Sequence, residues 1–272
     1  MFRSLKRSDR RNRAGFFAAA AVASLAGLIG LGGAEFRLPI LKALFHLPSL
    51  KAVIFNKATS LVVVFFALFF RMHEIPLGML TEHASIIFNL LGGSLIGAWV
   101  SAGIAMRISE RTLDTVIMIL LLAMAAVLLL DQTSFMQSEG LLFESLWARS
   151  LAGVTAGFFI GMVAAVLGVA GGELLIPTIV LLYGVDIKLA GSLSLAVSLP
   201  TMLVGFFRYS RGTAFEVLAQ ERELLVAMVV GSIIGAGIGA MLLGVVPAGM
   251  LTVSLSLLLI FAAVKIFRHK AA

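Results

Sequence analysis

The chain has 272 residues, 60% apolar and 13% charged, with no cysteine and a mean hydropathy of +1.08. A soluble domain is about 45–50% apolar and about 25% charged, so soluble, disordered and fibrous chains are excluded and an integral membrane protein remains. The net charge is +7, and the lack of cysteine excludes a disulfide framework, a thiolate metal site and a cysteine nucleophile.

Residues 1–14 form a basic arm, with Arg3, Lys6, Arg7, Arg10, Arg11 and Arg13 against Asp9. Before a long apolar run, such an arm reads as a cytoplasmic flank rather than a nucleic-acid-binding tail. It also has the look of a cleaved leader. The same segment recurs in mid-chain, however, where no leader can stand. The first apolar segment is 14–34, followed by a short piece to Leu47. Further apolar segments cover 52–70, 84–106 and 115–130. A polar, acidic linker over 131–149 comes next. The second half has segments at 150–172 and 189–207, with a short piece at 174–185 between them. The run 224–264 carries no charge. As one helix it would measure roughly 60 Å, twice a bilayer core, so it divides into two spans at the Gly-Val-Val-Pro-Ala-Gly turn, 244–249.

The halves align without a gap. Gly30, Gly33, Glu35 and Pro39 fall on Gly168, Gly171, Glu173 and Pro177, an offset of 138 residues. At the same offset, Gly93-Ser94-Leu95-Ile96-Gly97-Ala98 falls on Gly231-Ser232-Ile233-Ile234-Gly235-Ala236. The expected fold is all-α and polytopic. It has two repeats of about five helical segments each, at 15–134 and 153–272, joined by a linker over 135–152. If each short piece crosses back, the repeats are inverted. The Lys and Arg residues outside the segments then lie inside, except Arg71, Arg149 and Lys188. Four crossings per half would give a weaker bias. The expected arrangement is therefore inverted, with both termini cytoplasmic and the linker periplasmic. Inverted repeats with broken helices belong to secondary transporters.

The candidate site lies at the glycine turns: Gly30, Gly32, Gly33, Ala34 and Glu35 in one half, Gly171, Gly172 and Glu173 in the other. Glycine permits the sharp turn and a close ligand approach. A short helix starts after each turn, with Pro39 or Pro177 as the expected helix-start proline. Its N–H groups and positive dipole end favour an anion. Intramembrane Glu35 and Glu173 either relay protons or cap their own helices. Arg37 pairs with one of these acids or touches substrate. Lys57 snorkels or touches substrate. Asn56 and Ser60, with Ser194 and Ser198 at the matching positions, supply hydrogen bonds. Gly93, Gly97, Gly231 and Gly235 are expected to pack helices. The histidines show no metal-ligand spacing, and neither metal nor cofactor is expected.

These motifs resemble a known family. Gly-Leu-Gly-Gly-Ala-Glu-Phe-Arg-Leu-Pro (30–39) and Gly-Val-Ala-Gly-Gly-Glu-Leu-Leu-Ile-Pro (168–177) are similar to the paired glycine-rich motifs of the sulfite exporter TauE/SafE family, also called toluene sulfonate uptake permeases. Ala170 stands where the first copy has Gly32, and Gly172 where it has Ala34. The segments Asn56-Lys57-Ala58-Thr59-Ser60 and Ala190-Gly191-Ser192-Leu193-Ser194 also resemble the family pattern. The resemblance implies a bacterial inner-membrane permease for small sulfur-containing or organic anions such as sulfite, sulfonates or sulfoacetate. Its partners would be the anion and the lipid bilayer. A channel, an intramembrane enzyme and a non-transporting membrane partner protein are the alternatives. The enzyme lacks a nucleophile or metal set.

Overall fold

The computed structural model describes residues 2–29, 33–72, 75–131, 145–185 and 187–241. Gly30, Gly32, the linker over 135–144, the 244–249 turn and the last span after it lie outside the described residues. The regular structure is helical throughout the described residues. Helix α1 spans Phe2–Ile29, α2 Ala34–Ala43, α3 Ser49–Arg71, α4 Leu77–Glu82, α5 Ala84–Ala105 and α6 Glu110–Asp131. In the second half, α7 spans Leu146–Leu167, α8 Gly172–Tyr183 and α9 Ile187–Tyr209. A 3-10 turn (Thr213–Glu216), α10 (Val217–Gln220) and α11 (Arg222–Met241) follow. The basic arm is not a separate element, because α1 runs through it without a break.

The element boundaries repeat as the residues do. The ends of α1 and α7, the starts of α2 and α8, and both ends of α3 and α9 are each 138 residues apart. Local chemistry sets these limits. Gly33, Gly168 and Gly171 adopt positive φ (62°, 68° and 80°), which stops one helix and allows the next to leave in a new direction. Pro48 precedes α3 and Pro76 precedes α4, where a missing N–H costs nothing. Pro39 and Pro177 stand one turn further in than expected. Each is the sixth residue of its helix, which begins at Ala34 or Gly172. The glycine, not the proline, starts the helix. The proline instead removes the i+4 donor to the backbone carbonyl of Glu35 or Glu173.

Two helix pairs hold the halves together. Helix α5 lies on α7 and α1 on α11, through small residues. Gly93 and Gly97 leave no room for a Cβ against the Val154 and Phe158 carbonyls. Gly157 and Gly161 face the Leu90 and Ser94 carbonyls in the same way. Gly231 and Gly235 meet the Phe16 and Ala20 carbonyls, which are the same contacts shifted by one repeat. Such close backbone approach is how membrane helices associate, since lipid offers no hydrophobic drive between them. The four motif glycines are therefore packing residues, as expected.

The contacts also give direction. Asn89 Nδ2 donates to the Ser150 carbonyl at 3.1 Å and Ser101 Oγ to the Met162 carbonyl at 3.1 Å, so α5 and α7 run side by side in one direction. Thr201 meets Ser94 at 2.7 Å, and Arg208 lies against Gly103, so α9 shares that direction. Helix α8 returns between α7 and α9. It starts with Gly171 beside Ile160 and Ala164, and it ends with Tyr183, whose hydroxyl bonds Asn89 at 2.8 Å and borders Gly153. Helix α3 opposes α9: Lys57 lies by Gly205, whereas Arg71 Nε donates to Ser192 at 3.2 Å.

The surface is apolar, and the interior is an apolar core with a few polar side chains set into it. Phe88, Leu151, Phe159 and Phe207 are exposed, whereas Arg37, Asn56, Lys57, Ser60 and Ser194 are fully buried among apolar neighbours. Exposed aromatic and aliphatic side chains of this size suit lipid rather than water. Among the described residues, five helices are long and apolar enough to cross a membrane: α3, α5, α7, Leu189–Tyr209 of α9 and Arg222–Gly239 of α11. The chain is a multi-pass membrane protein.

Candidate functional site

The two glycine turns meet around one side chain, Asn56 of α3. Its Nδ2 donates to the Ala34 carbonyl at 2.8 Å and to the Leu167 carbonyl at 3.2 Å. Ala34 opens α2 in the first half, and Leu167 closes α7 in the second. One amide thus ties the start of one short helix to the turn that precedes the other. Its Oδ1 accepts from Arg37 Nη1 at 3.5 Å, and Ser60 Oγ accepts from the same nitrogen at 3.0 Å. Ser60 in turn donates to the Asn56 carbonyl at 2.7 Å. Arg37 reaches this position because α2 places it one turn after Gly33. Its side chain is fully buried.

The end of α7 is capped twice over. Its own turn donates first, Val169 N–H to the Ala164 carbonyl at 3.0 Å and Gly168 N–H to the Ala165 carbonyl at 3.3 Å, and other helices add side chains. Lys57 Nζ donates to the Ala164 carbonyl at 3.4 Å, and Tyr209 Oη to the Ala165 carbonyl at 3.0 Å. With Asn56 on Leu167, three side chains from α3 and α9 serve one helix end. An ammonium group there also complements the negative end of the α7 dipole. Lys57 does not snorkel, since it is fully buried.

The second half holds its own turn more simply. Ser198 Oγ donates to the Ala170 carbonyl at 2.7 Å. Ser194, the counterpart of Asn56, bonds the Gly191 carbonyl within its own helix at 2.8 Å. Gly33 and Gly171 precede α2 and α8, and neither helix start carries a side-chain cap on that residue. Glu35 and Glu173 are each the second residue of their helix. The structure thus brings Arg37, Asn56, Ser60, Ala34 and, through α7, Lys57 into one buried cluster. Ser198 joins it at the adjoining turn, and Ser194 does not reach across.

Residues not expected from the sequence contribute too. Tyr209 is one of only two tyrosines, yet nothing in its local sequence points to the α7 end. At the far end of α2, Lys42 pairs with Asp114 of α6, and Ser49 bonds both. The Ser49 N–H donates to Glu110 at 3.1 Å. This polar knot anchors α2 to α3 and α6. Its one signal in the sequence is the placement of Lys42, Glu110 and Asp114 at segment edges.

The glycine turns are repeated across the chain, whereas the buried arginine is not: Leu175 stands at the position that matches Arg37. The family comparison decides the identity of the chain: residues 15–266 match Sulfite exporter TauE/SafE. The chain belongs to the sulfite exporter TauE/SafE family. No curated protein and no solved structure matches it. The match covers both repeats and every site residue named above. Membership makes this chain a membrane transporter of sulfur anions.

Proposed function

We propose that the chain carries a small oxyanion such as sulfite, a sulfonate or sulfoacetate across the bacterial inner membrane, by alternating access between two inverted repeats. The single observation behind this reading is the buried Arg37–Asn56–Ser60 cluster at the meeting point of the two glycine turns. A guanidinium presents donors in a planar fork that suits oxyanions. The starts of α2 and α8 add positive dipole ends. The substrate-binding set is Gly30, Gly32, Gly33, Ala34, Glu35, Arg37, Asn56, Lys57, Ser60, Gly171, Gly172, Glu173, Ser194 and Ser198. Asn56 and Lys57 also act as supports for the helix ends. Glu35 and Glu173 are the candidate proton carriers.

Helix direction supports the inversion. Helices α7 and α9 run together, α3 runs against α9, and the repeat makes α1 the counterpart of α7. Charge supports the orientation. Arg11, Lys42, Lys51, Arg107, Arg111 and Arg211 lie toward the end where α1 and α3 begin, and Arg71 and Arg149 toward the other. The first end is the cytoplasmic one. An impermeant maleimide on intact cells should label a cysteine placed at Met79 and spare one at Arg111; the opposite pattern would reverse the assignment.

The functional experiment is uptake into proteoliposomes of labelled sulfite, a sulfonate and a simple carboxylate, with and without a pH gradient. Saturable entry of the sulfur anions is expected, driven further by the gradient. Entry that does not saturate would indicate a channel.

A further inference from the structure

We infer that α5 and α9 together form a binding site for the phosphate of an anionic phospholipid, built on Trp99, Arg208 and Arg211. This inference is independent of which anion is transported. Two guanidinium groups share one indole: Arg208 Cζ lies 4.9 Å and Arg211 Cζ 5.2 Å from the Trp99 ring centroid. Arg211 also lies 5.3 Å from the Phe207 ring. Gly103, one turn beyond Trp99 on α5, forms the notch that Arg208 fills. A Cβ there would stand 3.1 Å from Arg208 Nη2.

The charges are incompletely matched by the protein. Arg208 Nε is buried and has no hydrogen-bond partner. Among the described residues, neither guanidinium forms an ion pair with a carboxylate. Two like charges on one ring repel, and the indole quadrupole offsets only part of that. A phosphate between them would neutralise both and accept from both forks.

Lipid is the favoured source because of what borders the arginines. Val100 and Ile104 on α5, and Leu203 and Phe207 on α9, are each one turn apart and exposed by 40%, 49%, 52% and 58%. They form an apolar strip leading away from the arginines along two membrane helices. A soluble anion has no use for such a strip, whereas an acyl chain does. The site also lies where α9 leaves the candidate span at Tyr209, the level of lipid headgroups. Basic pockets between helices at that level bind anionic headgroups. Repeat packing does not demand the cluster, since the equivalents of Trp99, Arg208 and Arg211 are Gly237, Phe70 and His73.

The test uses the full chain with Trp147→Phe, which leaves Trp99 as the only tryptophan. It is reconstituted in phosphatidylcholine vesicles that contain a minor fraction of either phosphatidylglycerol or phosphatidylcholine with brominated acyl chains. Trp99 fluorescence is then compared at equal mole fractions. Brominated phosphatidylglycerol should associate with Trp99 roughly tenfold more strongly than the brominated zwitterionic lipid, by the attraction of two basic side chains. Arg208→Gln with Arg211→Gln should remove the preference. Equal quenching by the two lipids with both arginines intact would overturn the inference whether or not the double variant folds. Loss of the preference on adding inorganic phosphate at fixed ionic strength would also overturn it, by showing a site for a soluble anion.

Discussion

Gly168→Ala should destabilise the protein by about 2–4 kcal/mol and lower its thermal midpoint by roughly 5–10 °C. Two independent effects act at this position. The backbone is left-handed there, with φ +68°, and a Cβ would also run into the Val53 carbonyl of α3. That obstacle is backbone, and no rotamer change relieves it. Either α3 or the glycine turn must move, and both carry the site. Transport should therefore fall at least tenfold in the variant protein that still inserts. Gly237→Ala is the matched control, since nothing lies within 4 Å of its Cβ position. It should be neutral or slightly stabilising through helix propensity. Thermal unfolding in detergent and flux in vesicles measure both. Wild-type stability and flux in Gly168→Ala would mean that the α3–turn contact is not needed.

Asn56→Leu should be the most damaging change on α3. Asparagine there satisfies four groups: the carbonyls of Ala34 and Leu167 and one nitrogen of Arg37 by its side chain, and Ser60 by its carbonyl. Leucine removes the first three at a fully buried position. Arg37 Nη1 keeps Ser60, so at about 1–3 kcal/mol for each of the two carbonyls deprived of Asn56 the loss is about 2–6 kcal/mol. The flux should vanish with it, because the link between the two halves at the site is cut. Ser194→Ala at the matching position of the second half should be mild, since that hydroxyl bonds only its own helix. The contrast separates a bridging residue from a merely buried polar one. Comparable unfolding temperatures for the two variants would refute the bridging role.

Much of the fold was readable because the membrane imposes simple rules. Charge-free runs locate the spans, and irregular backbone needs glycine, so the turns at Gly33 and Gly168–Gly171 stood out. The ungapped offset foretold element boundaries that recur 138 residues apart. The proline of each turn reads from sequence as the helix start but is the sixth residue of its helix, because the helix begins where positive φ ends. Sequence alone does not reveal that. The site was legible as a set of residue types but not as a network. Arg37, Asn56, Lys57 and Ser60 stand out as polar residues within apolar segments. Nothing in the spacing said that Asn56 would bridge the halves while Ser194 would not. The contacts of Tyr209 and of the Lys42–Asp114 pair leave no trace in the local sequence, because the partners are far away along the chain and contact depends on helix packing.

The claim that the Arg37 cluster binds the transported anion is tested most directly by sulfite counterflow in proteoliposomes. Vesicles preloaded with unlabelled sulfite are diluted into labelled sulfite, with either the unaltered chain or Arg37→Gln incorporated to equal density. Glutamine keeps a hydrogen-bonding head near Asn56 and Ser60 but removes the fixed positive charge and its planar fork. The account predicts saturable exchange for the unaltered chain and a loss of at least a hundredfold in Arg37→Gln, with little change in the amount of folded protein. Exchange at the unaltered rate in Arg37→Gln would contradict it.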